Sequence, residues 1–317
     1  MRVVITGPFD PRVRQQLQDQ GHEVTVLPAN VGAQELAARL EWAEAYLLGG
    51  FEYVTGPMLE RAPGLRLLVF MGVQPETFLS PEAQELLEAR HAELRLTGGD
   101  ASQAVAEMAL ALALAALRHL VPLATQVAER KWPVITGREL AGKTVGILGM
   151  GRIGRRLVGL LAGFGCQILY YDTQRWELDR DHQAHLASMD EVLAQSDLVS
   201  LHTPLTDHTR GMIGERELRL MKPTAVLVNA ARPQLVDPGA LRRSLEQGHP
   251  AAAAFDGYYL EGQQLERSMD DPYGLLAMSD RFLCTSHQGY NTAEALAAAS
   301  ERAAELVASH AQAIPAR

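Results

Sequence analysis

Cysteine is almost missing from this chain: Cys166 and Cys284 are the only two in 317 residues, and neither has partners at metal-ligand spacing. That excludes a disulfide framework and a cysteine-built metal site, and the pair reads as buried, reduced thiols of a cytoplasmic protein. Basic residues are also short, with 29 Lys and Arg against 38 Asp and Glu and a formal net charge of −9. Such a balance argues against nucleic acid or an anionic membrane as partner. Long apolar runs are lacking too. The longest, Met108 to Leu117, falls well below the about 20 residues a bilayer-crossing helix needs. No signal peptide is visible, because Met1-Arg-Val-Val-Ile-Thr6 runs straight into a strand-like segment. Internal repeats, coiled coil and low-complexity tracts are absent as well. Small molecules remain as the open ligand class.

The length exceeds the usual size of one core, so two domains are expected. Apolar strand-like runs alternate with helical ones at Val3 to Ile5, Glu23 to Leu27, Ala45 to Leu48 and Leu65 to Phe70. The alternation resumes at 144–148, 167–171, 198–201, 225–228, 252–255 and 282–285. This beat predicts an α/β fold with parallel sheets covered by helices, six strands falling in the second half. Residues 101–123, rich in Ala and Leu, read as one long buried helix between the halves. The polar stretch Gly262 to Asp271 reads as an exposed loop.

The segment Gly149-Met-Gly151-Arg-Ile-Gly154 follows the strand-like run Thr144-Val-Gly-Ile-Leu148 and opens a helix-like run. That is the setting a dinucleotide fingerprint requires. Gly149 serves the tight turn, Gly151 lets backbone approach a pyrophosphate, and Gly154 lets helix and strand pack closely. The helix N-terminus adds free N–H groups and a positive dipole end. A second run, Gln167-Ile-Leu-Tyr-Tyr171, ends at Asp172, placed to hold a ribose 2′-hydroxyl and so to favour NAD over NADP. Arg175 is the counter-signal, since it could reach a 2′-phosphate.

Ligands of open α/β sheets sit beyond the carboxyl ends of the strands. Three polar residues lie just past such ends: Arg232 after Val228-Asn229, Glu261 after Phe255-Asp256, and His287 after Phe282-Leu-Cys-Thr-Ser286. Arginine offers a rigid fork for a carboxylate and polarises a neighbouring carbonyl. Histidine can deliver a proton to the oxygen that hydride addition makes negative. A carboxylate beside a histidine orients its ring. Singly each has an ordinary reading, as a packed histidine or a solvated charge; their joint placement points to a site.

At this point the chain resembles the D-isomer-specific 2-hydroxyacid dehydrogenase family from about residue 97 to the end. The likeness rests on Val145 to Gly154, His202-Thr-Pro-Leu205 with Thr209-Arg-Gly211, and Met221-Lys-Pro223 through Asn229-Ala-Ala-Arg232. The resemblance implies a Rossmann NAD-binding domain, residues 99–289, inserted into a flavodoxin-like substrate domain built from residues 1–98 and 290–317. It implies hydride transfer between NAD(H) and a D-2-hydroxy acid and its 2-oxo acid, in a cytoplasmic homodimer. Arg232, Glu261 and His287 would be catalytic. Gly149, Gly151, Arg152, Ile153, Gly154, Asp172, Thr203, Pro204, Ala230, Arg232, Asp256, His287 and Gly289 would hold the cofactor. Gly72, Val73, Arg232 and His287 would hold the substrate, and no metal is called for. Val69-Phe-Met71 and Tyr290 read as an apolar side of the pocket.

Departures from the family pattern leave alternatives open. Pro233 stands where a glycine usually follows the arginine, which reduces backbone freedom there. Gly257-Tyr-Tyr259 replaces a Val-Phe-like pair, and Met71-Gly-Val-Gln-Pro75 replaces a Gly-rich loop ending in Asp-Asn. The stretch from Glu261 to His287 is longer than in many members and resembles the phosphite-oxidising branch in length. Phosphite dehydrogenase and a non-catalytic NAD(H)-sensing protein are therefore the rival readings.

Overall fold

The structure, a computed structural model, describes all residues other than 29–30, 51, 73–74, 76–77, 99–100, 177–183, 260–269 and 314–317. The chain forms two compact units, one from Met1–Ala101 and Asn291–Arg317, the other from Ser102–Tyr259 and Asp270–Tyr290.

In the first unit β1 (Arg2–Thr6), β2 (Glu23–Val26), β3 (Ala45–Leu48), β4 (Leu67–Phe70) and β5 (Glu93–Leu96) form one sheet in the order β2-β1-β3-β4-β5. All pairings are parallel. Helices α1 (Pro11–Asp19), α2 (Ala33–Leu40), α3 (Gly56–Glu60), α4 (Pro81–Ala89) and the C-terminal helix Ala293–Ala313 cover it. The strand period of two sends alternate residues to two cores. Val4, Tyr46, Leu48, Leu68 and Phe70 pack with α2, α3 and α4. Val3, Ile5, Ala45, Leu47, Leu67 and Val69 pack with α1 and the C-terminal helix. That helix buries Ala295, Ala299, Ala303 and Val307, one face at a spacing of four, and Ser300 accepts the Asp10 backbone N–H. The sheet that begins the chain is thus closed by its last helix. Val69 and Phe70, expected to line a pocket, are core residues, 0% and 4% exposed.

The second unit carries α5 (Ser102–Leu117), α6 (Leu120–Ala128), β6 (Thr144–Leu148), α7 (Arg152–Leu161), β7 (Gln167–Tyr171), β8 (Ala184–Leu186), α8 (Met189–Gln195) and β9 (Leu198–Leu201). It continues with α9 (Glu215–Leu220), β10 (Val226–Asn229), α10 (Pro238–Glu246), β11 (Ala252–Asp256) and β12 (Phe282–Thr285). The strands run parallel in the order β8-β7-β6-β9-β10-β11-β12, a doubly wound sheet whose direction of winding reverses between β6 and β9. The central strands are buried on both faces, and α5 packs on α7, β10 and β11.

The expected α/β architecture with parallel sheets is present, with local differences, among them an unexpected edge strand, β5, in the first sheet. The long helix of residues 101–123 is two helices bent by 65°. His119 adopts a left-handed conformation at the break, which leaves Pro122 in the first turn of α6. In an unbroken helix its ring would strike the carbonyl of residue 118. Among the described residues no single helix is long and apolar enough to cross a membrane. A seventh strand, β8, joins the second sheet at its edge. Cys166 and Cys284 are half-buried rather than enclosed, and burial pushes the Cys166 thiol up, which disfavours its thiolate.

Candidate active site

The switch point of the second sheet gathers the glycine loop and the end of β9. Gly149 sits at φ +97°, open to glycine but strained for other residues. A Cβ there would stand 2.7 Å from the His202 carbonyl, and one on Gly154 would collide with the Gly149 carbonyl. Gly151, the N-cap of α7, instead faces open space. Arg152 and Ile153 begin α7, so their backbone N–H groups belong to its unpaired first turn. His202 N–H and Thr203 Oγ1 both donate to the Leu148 carbonyl, at 2.8 and 3.1 Å, tying β9 to β6. Pro204 follows, exposed.

Asp172 closes this region from β7. Its Oδ2 accepts the Met150 N–H at 2.7 Å and its Oδ1 accepts the Gln174 N–H at 2.9 Å. The acid is held beside the glycine turn, as a ribose-binding carboxylate must be. Arg175 is exposed. Close packing at Gly149 and Gly154, room at Gly151 and an anchored acid fit a dinucleotide whose pyrophosphate lies on the N-terminus of α7.

Beyond β10 the chain turns sharply, and Asn229 makes the turn. This residue, 1% exposed, donates from Nδ2 to the Arg232 carbonyl at 2.8 Å and accepts the Ala231 N–H at 3.0 Å. Buried Ala230 lies inside the clamp. Pro233 then takes the first position of a 3-10 turn, Pro233–Leu235, where a missing N–H costs nothing. Arg232 has the extended backbone that a residue before proline favours. The restriction expected from Pro233 is thus built into the turn that presents the arginine.

The end of β11 organises the end of β12. Asp256, 3% exposed, accepts the Thr285 hydroxyl at 2.7 Å, the Gln288 N–H at 2.8 Å and the Gly289 N–H at 2.6 Å. Both carboxylate oxygens therefore hold the loop that bears His287, a task that its expected place beside a cofactor did not suggest. His287 itself sits at φ +55°, uncommon for a side chain-bearing residue and typical of strained functional positions. Its Nε2 lies 3.4 Å from Arg232 Nη1, and the Tyr290 ring stands nearly perpendicular to it at 6.0 Å. Two parallel strands thus deliver a cationic fork and an imidazole to one point. A carboxylate held by the fork would put its adjacent carbon within reach of the imidazole, the geometry that proton transfer to a neighbouring oxygen requires.

His202 is the other histidine near this edge. The residue is half-buried, yet its Nδ1 is shut from solvent with no hydrogen-bond partner among the described residues, and Nε2 meets Ser200 Oγ at 2.9 Å. Burial pushes its pKa down to about 4, so it stays neutral near pH 7. Glu261 and Val73 lie outside the described residues. Gly72 lies in the first unit, just past β4, where a Cβ would stand 2.6 Å from the Phe70 ring. Asn229 was not anticipated as a positioning residue; its one sequence signal is a short amide side chain at a strand end, the residue type that bonds local backbone.

The sequence profile described as D-isomer specific 2-hydroxyacid dehydrogenase, NAD binding domain, matches residues 110–289. A glyoxylate reductase of Aeropyrum pernix is 40% identical over 209 residues, covering 63% of this chain and 61% of that protein. A hydroxypyruvate reductase of Thermotoga maritima is 29% identical over 296 residues, 93% of each chain. Among solved structures, a D-lactate dehydrogenase of Treponema pallidum superposes with a TM-score of 0.82 at 26% identity, covering 99% of this chain and 98% of that one. The aligned part spans less than two thirds of the Aeropyrum protein, whereas the Thermotoga protein aligns over nearly its whole length. With the NAD-binding profile covering more than half of it and the glycine loop, Asp172 and Arg232 in the described geometry, the chain belongs to the D-isomer specific 2-hydroxyacid dehydrogenase family.

Proposed function

We propose that the protein is an NAD-dependent oxidoreductase that interconverts a 2-oxo acid and a D-2-hydroxy acid. The observation that carries this reading is the 3.4 Å approach of Arg232 Nη1 to His287 Nε2 at the ends of β10 and β12. Arg232 binds the substrate carboxylate and polarises the adjacent carbonyl. His287 gives a proton to the carbonyl oxygen in reduction and removes it in oxidation. Glu261, five residues after Asp256, orients His287. NAD(H), when bound, supplies or accepts the hydride.

The second unit is the cofactor domain in this reading, and the first is the substrate domain. Gly151, Arg152 and Ile153 offer backbone N–H groups to the pyrophosphate, Asp172 takes the ribose, and Thr203, Pro204, Ala230, Asp256 and Gly289 border the nicotinamide half. Gly72 and Val73 belong to the substrate side. The protein acts in the cytoplasm on small acids, with no nucleic-acid or membrane partner, in keeping with its net charge of −9. It works as a homodimer. Support comes from an apolar stretch that the single chain leaves exposed: Leu120 is 60%, Trp132 87% and Val134 93% accessible, more than isolated surface residues explain.

The test is NADH oxidation by purified protein with glyoxylate, hydroxypyruvate, pyruvate, 2-oxobutyrate and phenylpyruvate, beside NAD with phosphite. Turnover of an oxo acid supports the proposal. Activity with phosphite alone, or NADH binding without any turnover, contradicts it.

A further inference from the structure

Two residues before Asp172 stands a tyrosine whose hydroxyl is tied to the far side of the loop that follows. Tyr170 belongs to β7, is 2% exposed and shares a core cluster with Leu157, Val158 and Leu161 of α7. Its hydroxyl accepts the Trp176 backbone N–H at 3.3 Å and donates to the Trp176 carbonyl at 3.4 Å. One phenol thus takes up both backbone polar groups of one residue, groups that a neighbouring strand would otherwise have to satisfy. Residues 171–175 are thereby closed into a loop whose two ends rest on the same side chain.

The side chain of Trp176 is held as well. The guanidinium carbon of Arg155, from α7, lies over the indole ring at 4.6 Å from its centre, inside the range of about 6 Å over which a cation is attracted to a ring face. Arg155 Nε also donates to the Gly151 carbonyl at 3.4 Å, so one arginine spans the glycine turn and the loop after β7. The indole N–H is enclosed with no hydrogen-bond partner among the described residues, which leaves the stacked ring as the holding contact. Inside the loop, the exposed Thr173 and Gln174 bond to Asp172 itself: the Thr173 hydroxyl and the Gln174 N–H both donate to Oδ1, at 3.4 and 2.9 Å. The carboxylate therefore takes its direction from residues that the Trp176 latch carries.

We propose that Tyr170 and Trp176, with Arg155 stacked on the indole, are positioning residues for cofactor choice: they hold the loop after β7 so that the Asp172 carboxylate stays turned toward a ribose 2′-hydroxyl and against a 2′-phosphate. The inference rests on Asp172 as the ribose-binding acid, and the latch acts through that acid. A hydrogen bond to the hydroxyl needs its distance and angle kept, so a loosened loop weakens NADH. Repulsion of a phosphate falls as the carboxylate withdraws, so the same loosening favours NADPH.

The experiment titrates NADH and NADPH by nucleotide fluorescence and reads the dissociation constant of NADPH divided by that of NADH, a ratio that needs no substrate and that a merely structural loss leaves in place. Tyr170→Phe keeps the ring in the core and removes the latch, and the ratio is expected to fall at least about threefold, the scale of one lost hydrogen bond. Trp176→Ala lowers it by a similar factor, whereas Trp176→Phe, which keeps a ring under Arg155, stays within about twofold of the unaltered protein. Asp172→Ala lowers the ratio by itself, and adding Tyr170→Phe to it changes the ratio by less than about 1.5-fold, because the latch then has no carboxylate to place. An unchanged ratio in both Tyr170→Phe and Trp176→Ala, or an equal fall on adding Tyr170→Phe to Asp172→Ala, overturns the inference while leaving Asp172 its role. A ratio that Asp172→Ala does not move defeats the role of Asp172 and this inference with it.

Discussion

Gly289 donates its backbone N–H to Asp256 Oδ2 at 2.6 Å, and a Cβ on Gly289 would stand 2.6 Å from that same oxygen. The loop carrying His287 is therefore pinned so tightly to the end of β11 that only glycine fits. Gly289→Ala is expected to displace the histidine and lower kcat about 100-fold, the scale of a misplacement near 1 Å. Asp256→Ala strands two backbone donors and the Thr285 hydroxyl, which costs on the order of 3 kcal/mol of stability as well. Steady-state kinetics and urea unfolding of both variants check this, and an undiminished kcat in Gly289→Ala would show that the pin does not place His287.

His202 links stability to pH. Its folded pKa of about 4 lies below the ordinary 6.5, because burial disfavours the imidazolium. Between those values the unfolded chain takes up a proton that the folded chain refuses, so the contribution is complete above pH 6.5 and is lost as the pH falls toward 4. At about 1.4 kcal/mol per pH unit the loss reaches roughly 3 kcal/mol. His202→Asn should flatten the dependence of unfolding free energy on pH between 7 and 4.5. Equal slopes for the two proteins would count against a neutral, enclosed His202.

The last two glycines of the cofactor loop should fail differently. Gly154→Ala drives a methyl into the Gly149 carbonyl, so both thermal stability and NADH affinity fall. Gly151 has φ −69° and open space around it, so Gly151→Ala should keep the melting temperature yet weaken NADH at least roughly tenfold, or ~1.4 kcal/mol. Fluorescence titration with NADH decides, and full affinity in Gly151→Ala would remove the pyrophosphate from that position.

Asp172 should set the choice of cofactor. Removing its carboxylate in Asp172→Ala abolishes the repulsion of a 2′-phosphate and the bond to a 2′-hydroxyl together. The ratio of kcat/KM for NADH over NADPH is expected to fall by at least roughly tenfold, which is ~1.4 kcal/mol of discrimination. A ratio that stays put would mean that selectivity lies elsewhere.

Features legible in the sequence were those written in local chemistry. Val145 to Gly154 shows strand, turn and helix within one short segment, and fully buried strands such as β10 and β11 read as unbroken apolar runs. The edge strands β5 and β8 did not read as strands, since Glu93-Leu-Arg-Leu96 and Ala184-His-Leu186 mix charge and apolarity on half-exposed surfaces. The break at His119 was hidden by composition, because Ala and Leu continue across it and Pro122 alone carries the signal. Asp256 was visible as an acid near the site, but its grip on residues 285–289 joins segments about thirty positions apart. Glu52 left no mark at all: its buried bond to Thr6 joins residues forty-six positions apart.

The most direct test of the account is the His287→Ala variant, assayed for NADH oxidation with the best oxo acid alongside NADH binding by fluorescence. Removal of the proton donor should lower kcat by about 100- to 10,000-fold while the NADH dissociation constant stays within about twofold. Turnover undiminished in that variant would contradict the assignment of His287 as the acid and base, and with it the proposed site.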